Sequence, residues 1–116
     1  MSVMTIIWWR DIPAQVTARE GRKQSKIVLH PRFQVAIDKA ASRAGRRAYN
    51  DYIEEWRRTQ KSCGADIDAE VAAEVERLEA EYDKHRLAQL IQAGGVEGGP
   101  VFPPAQDETQ GKAADA

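Results

Sequence analysis

Cysteine occurs once in the 116 residues, at Cys63, so neither an internal disulfide nor a multi-cysteine zinc site can form. Long apolar runs are missing as well. Nothing approaches the roughly 18 residues that a membrane-crossing helix requires, and residues 1–9 lack the basic start and cleavage site of a secretory signal. The expectation is a cytoplasmic chain with no membrane segment. Histidine is scarce: His30 and His85 are the only two, and neither stands in a metal-ligand spacing. There is no glycine loop of the phosphate-cradling kind, no nucleophile elbow and no pair of catalytic acids. Glu54 and Glu55 are adjacent, so on a helix they diverge and cannot share an acid–base task. These absences predict no catalytic residue, metal or cofactor, and no enzyme acting by itself.

What is present is ordinary in amount and unusual in arrangement. Apolar residues make up 42 % and charged residues 30 %, the profile of a single small domain. The net charge of −1 conceals a polarity, because residues 1–61 hold thirteen Lys and Arg against six Asp and Glu. From residue 62 onward there are four against twelve. Such asymmetry speaks of association and not of fold. Two readings are open: the acidic part screens the basic part within one molecule, or the basic part meets an anionic partner.

Residues 5–16, TIIWWRDIPAQV, form the stretch around which the rest is organised. Ile6, Ile7, Trp8 and Trp9 are a continuous apolar run, and strand side chains alternate between faces. Ile6 and Trp8 are thus expected on one face, Ile7 and Trp9 on the other. A strand apolar on both faces is central in its sheet and covered on both sides. So small a fold is not expected to hide both indoles, which calls for a partner to complete the cover. Pro13 removes a backbone donor, so a strand end, bulge or edge is expected at Ile12–Pro13. A second strand follows over residues 15–19 with Val16 and Ala18 inward. Gly21 suits a turn, and residues 24–29 alternate again, with Ser25, Ile27 and Leu29 opposed to Lys26 and Val28; a helix over Arg22–Leu29 is the rival reading.

His30-Pro31 reads as a helix start, with proline at the first helical position. Phe33, Ile37, Ala40, Ala41 and Ala44 then make one apolar stripe that Gly45 ends. Asn50 is a candidate cap for a second helix, reaching Lys61, with Tyr52, Ile53 and Trp56 on one face. Val71, Val75, Leu78, Tyr82, Leu87, Leu90 and Ile91 predict one long acidic amphipathic helix, interrupted by a one-residue stutter, with Gly94-Gly95 behind it. The fold class is therefore α+β: a short antiparallel sheet of two to three strands packed by two helices, then the long helix and a disordered tail. The divisions are residues 1–61, 66–93 and 94–116. The long helix is a candidate for self-association through residues 66–93.

Among chemical candidates, Cys63 beside Gly64 and near Lys61 is a reactive thiol only if its pKa is lowered. Nucleic-acid (RNA) binding is the alternative to protein binding: Arg19, Arg22, Lys23 and Lys26 on the hairpin, with Arg43, Arg46 and Arg47 at a helix end, can meet phosphates. Trp8, Trp9 or Trp56 would then stack on bases. Val101-Phe102 between prolines has the look of a small docking peptide.

The string Ile7-Trp8-Trp9-Arg10-Asp11-Ile12-Pro13-Ala14-Gln15-Val16 resembles a small bacterial family labelled "virulence factor". So do the basic stretch at Gly21-Arg22-Lys23, the Arg32-Phe33 and Ala36-Ile37-Asp38 pairings, and Tyr52 with Glu55-Trp56-Arg57. The resemblance covers about residues 5–58. A similar domain ends the helical-repeat conserved virulence proteins. The resemblance implies no catalytic residue. It does imply an accessory subunit in folate- or corrinoid-linked one-carbon metabolism, partnered by a methylenetetrahydrofolate reductase or methyltransferase-type enzyme. On this reading the protein is a non-catalytic accessory or regulatory interaction domain. Its partner-binding residues are Trp9, Arg10, Asp11 and Gln15, with Arg22 and Lys23 steering an acidic partner. Trp8, Trp9 and Trp56 belong to the frame of the fold, while Arg10, Asp11 and Gln15 belong to its surface.

Overall fold

In the computed structural model, which describes residues 2–46 and 49–101, the tryptophan stretch is strand β1, Ser2–Trp9. It is paired antiparallel on both sides, to β2 (Ile12–Glu20) and to β4 (Trp56–Cys63). With β3 (Lys23–Val28) the sheet has four strands in the order β3-β2-β1-β4. The run apolar on both faces is thus an interior strand, as its composition demands.

Met4 and Ile6 of β1 face the core together with Val16 and Ala18 of β2, all buried. Between Ile7 and Trp8 the register with β2 slips: Gln15 opposes Ile7, Pro13 opposes Trp8, and Ala14 is left over. The bulge sits beside the one residue of β2 that has no N–H to give to a ladder. Gly21, at φ 59°, closes the β2–β3 turn in a conformation that costs glycine little.

Helix α1 (Pro31–Arg43) begins as its sequence indicates, with the His30 ring Nδ1 accepting from the Arg32 N–H at 3.1 Å. Phe33, Ala36, Ile37, Ala40 and Ala41 form its buried stripe. Helix α2 (Tyr49–Glu54) is short and brings Tyr52 onto the end of β1. Helix α3 (Ile67–Glu81) lies across β2 and β3, burying Ile67, Val71, Val75 and Leu78, while α4 (Lys84–Gln92) packs on α1. One core cluster joins the strands with α1, α3 and α4, so the acidic α3 and the basic α4 both take part in roofing the sheet.

Three expectations need correction. The sheet has four strands, not two or three, because residues 56–63 are a strand and not the end of a second helix. This segment, WRRTQKSC, has no apolar periodicity of either kind. Its conformation comes from the open edge of β1, whose eight residues it matches from Ser2↔Cys63 to Trp9↔Trp56. The long helix is two helices. It breaks at Tyr82, and Asp83 caps α4 by accepting from the Arg86 N–H at 2.9 Å. The stutter in the apolar stripe marks that break, which turns α4 back onto α1. Four helices, not three, are present among the described residues. Of the tail expected at 94–116, Gly94 and Gly95 are buried, and residues 102–116, with Phe102 of the docking-peptide reading, lie outside the described part.

Candidate functional site

Arg10 and Asp11 make the turn between β1 and β2. Arg10 sits at φ 54°, a left-handed conformation uncommon outside glycine. What holds it there is a dense set of bonds. The Arg10 N–H donates to the Glu55 carbonyl at 3.1 Å, and its guanidinium donates to the Gly94 carbonyl at 3.0 Å and to Glu55 Oε2 at 3.2 Å. The Asp11 N–H reaches the Gly95 carbonyl at 2.8 Å. Its carboxylate accepts from Arg57 at 3.0 Å and from the Glu97 N–H at 2.7 Å. Arg57 also donates to the Arg10 carbonyl at 2.8 Å. The Trp-Arg-Asp string therefore ties the β1–β2 turn to the start of β4 and to the loop after α4.

Trp9 is 0 % exposed. Its ring stacks on Tyr52 at 5.8 Å, and its indole N–H donates to the Tyr52 carbonyl at 2.9 Å. Gly95 presses on the same ring, since a Cβ placed there would lie 2.9 Å from it. Of the two indoles not expected to be hidden together, this chain encloses Trp9 itself and leaves Trp8 partly covered. Trp8 is partly buried, edge-on to Tyr82 at 6.2 Å, with the Arg57 guanidinium 5.0 Å over its ring and its N–H on Thr59 Oγ1 at 2.9 Å. Trp56 is partly buried and meets Tyr52 edge-on. None of the three indoles is an open stacking platform.

The helices lie over one face of the sheet, and the residues alternating to the other face form a shallow trough lined by strand residues alone. Reading β3, β2, β1 and β4 across, the rows are Gln24-Arg19-Val3-Ser62, Lys26-Thr17-Thr5-Gln60 and Val28-Gln15-Ile7-Arg58. Three cations stand in this grid and no acid. Among the described residues, Arg19, Lys26 and Arg58 have no ion-pair partner, whereas Arg10, Arg46, Arg57, Lys61, Arg77 and Arg86 all have one. Val3 and Val28 are exposed and Ile7 is half-buried among the threonines and glutamines.

On the covered side the charges are answered. Glu74 of α3 is 7 % exposed and pairs with Arg77 and, at 3.2 Å, with Lys61 of β4. The Arg77 hydrogen bond, helped by Lys61, holds this carboxyl below its usual range although burial pushes the other way. Among the described residues, Lys61 and Glu74 are an ion pair that joins the basic half to the acidic half. Burial, with Glu70 and Glu20 nearby, pushes the Cys63 thiol up, opposite to the direction a reactive thiol requires. No group of three or more His, Cys, Asp or Glu that could hold a metal is found among the described residues. No helix there is long and apolar enough to cross a membrane.

The expected binding residues are thus dispersed. Trp9, Arg10 and Asp11 are together at one end of the sheet, engaged with their own chain. Gln15 lies on the open face beside Ile7. Arg22 and Lys23 are exposed at the β2–β3 turn, the far end of β2. Arg46 pairs with Asp51 and Glu55, and Arg47 lies outside the described residues. Sequence reasoning missed Arg58, Gln60, Thr5 and Thr17 as face residues. The alternation Val3-Thr5-Ile7 was a usable signal for the centre. Nothing in the sequence of β4 signalled Arg58 and Gln60.

A family model described as "Virulence factor" matches residues 7–91, from the middle of β1 to the end of α4. The match extends well past the part on which the resemblance rested, taking in α3 and nearly all of α4. No curated protein and no solved structure matches the chain.

Proposed function

The chain belongs to the virulence-factor family, and from that premise we propose that it is a non-catalytic accessory or regulatory subunit that works by binding another protein. The observation that carries this reading is the uncovered face of the sheet. One layer of helices uses one face, while the other presents Ile7, Val3 and Gln15 amid polar side chains with no described element upon it. Antiparallel sheets tolerate water on one side, so exposure by itself is not the argument. What supports the reading is aliphatic surface combined with cations that no carboxylate among the described residues answers. Enzymes of folate- or corrinoid-linked methyl transfer are the partner class that the resemblance implies. Arg22 and Lys23 at the rim serve encounter, which electrostatics accelerates more than it tightens.

The experiment is affinity recovery of the tagged chain from its native cell. A stoichiometric partner is expected, and it is expected to be lost with Ile7→Asp, which places a carboxylate at the centre of the face. Recovery of the chain alone would refute the reading, as would a partner retained undiminished by that variant. RNA binding is the second reading, favoured by Arg19 and Lys26 on the hairpin. It predicts a mobility shift at low salt that fades steeply as salt is added.

A further inference from the structure

The cations of the open face stand where a partner's chemistry can be read from them. Arg19 is on β2, Lys26 on the outer strand β3 and Arg58 on the opposite outer strand β4, each in a different row of the grid. With strands about 4.8 Å apart, Lys26 and Arg58 are separated by about 14 Å across the sheet. Between them lie Thr17, Thr5, Gln15 and Ile7, so the centre is neutral and partly aliphatic and the periphery is positive.

We propose that this face docks an acidic polypeptide segment of a partner protein, an aliphatic side chain seating on Ile7 and Val3 while flanking carboxylates meet Arg19, Lys26 and Arg58. The inference rests on the accessory-subunit reading and names the chemistry of the partner's contact.

A nucleic acid fits the same charges less well. Single strands are gripped by continuous cationic tracks combined with aromatic platforms. Here the cations are isolated, and every indole is packed against the chain's own rings or backbone. A second copy of this chain fits no better, because the same face would confront cation with cation. Carboxylates spaced along a polypeptide match three separated cations, and aliphatic side chains match Ile7 and Val3, which phosphates do not. Hydroxyl and amide groups between them accept or donate to a partner's backbone or side chains with little geometric demand.

The test uses the full chain and its Arg19→Glu, Lys26→Glu, Arg58→Glu triple variant, all exposed positions, with unfolding curves to verify that the fold is retained. Backbone-amide NMR follows titration with poly-L-glutamate, poly-L-lysine and oligouridylate. Poly-L-glutamate is expected to shift the amides of Val3, Thr5, Ile7, Thr17 and Gln60. In the triple variant binding should weaken by about 30-fold, since attraction is replaced by repulsion at three sites. No localised shift with poly-L-glutamate overturns the proposal, and so does a stronger response of these amides to oligouridylate or poly-L-lysine. In parallel, the native partner is captured on wild type and triple variant. Equal capture by both overturns the acidic contact while leaving the accessory reading standing. Absence of any partner on wild type removes the reading itself.

Discussion

At the scale of single residues, the family string Trp9-Arg10-Asp11 acts within the chain. Arg10 accepts a left-handed backbone because its guanidinium bridges Gly94 and Glu55, two segments far apart in sequence. Replacing it by alanine should cost about 1.5–3 kcal/mol, the range for hydrogen bonds to charged groups. Lysine should restore only part of that, having no planar fork. Urea denaturation of the three proteins decides it. Glu74 is the other informative residue. Its carboxyl is held below its ordinary range by Arg77 and Lys61 when folded. The stabilisation is therefore complete above the ordinary carboxylate range and is lost as pH falls through the lowered value. Glu74→Gln should be less stable than wild type by about 1–2 kcal/mol at neutral pH. The two should converge only as pH falls through the lowered value of the folded carboxyl, below the ordinary carboxylate range. A constant difference down to the acid limit would contradict this account.

At the scale of elements, the break between α3 and α4 and the recruitment of β4 are the decisive features. Asp83 caps α4, so Asp83→Ala should lower stability by about 1 kcal/mol. Were residues 66–93 one helix, the same change would strengthen it, because alanine is the better interior residue. The sign of the shift in unfolding midpoint separates the two. In the sheet, β1 is bonded on both sides while β4 has a free edge carrying Arg57, Arg58 and Lys61, charges of the kind that deter edge-to-edge pairing. Hydrogen exchange should accordingly be slowest at the β1 amides facing β2 and much faster at the outward amides of β4.

At the scale of the molecule, the two helices after β4, the acidic α3 and the basic α4, are integral to the fold. Ile67, Val71, Leu78 and Leu90 belong to the same core as Ile6, Trp9 and Phe33. A fragment of residues 1–61 should therefore lack a cooperative unfolding transition and dispersed amide resonances, as it would expose the apolar side of the sheet. The apolar stripe considered for self-association is likewise turned into this core. The described residues leave one helix-covered face and one open face, and the open one is the proposed partner surface.

Residues 5–46 carry their structure in local pattern. The two-sided apolar run, the proline at the bulge, the glycine turn, the alternation of β3 and the capped stripe of α1 are consequences of side-chain period and backbone chemistry, and all are legible in order. The enclosure of Trp9 is not, because its cover comes from Tyr52 and Gly95, which only folding brings near. Nor is β4, whose segment has no periodicity of its own and becomes a strand by matching the free edge of β1. Local rules act over a few residues and specify elements. The open face, its three unanswered cations and the inward role of Arg10 arise from contacts between segments tens of residues apart, and those are decided only when the sheet and its helices close together.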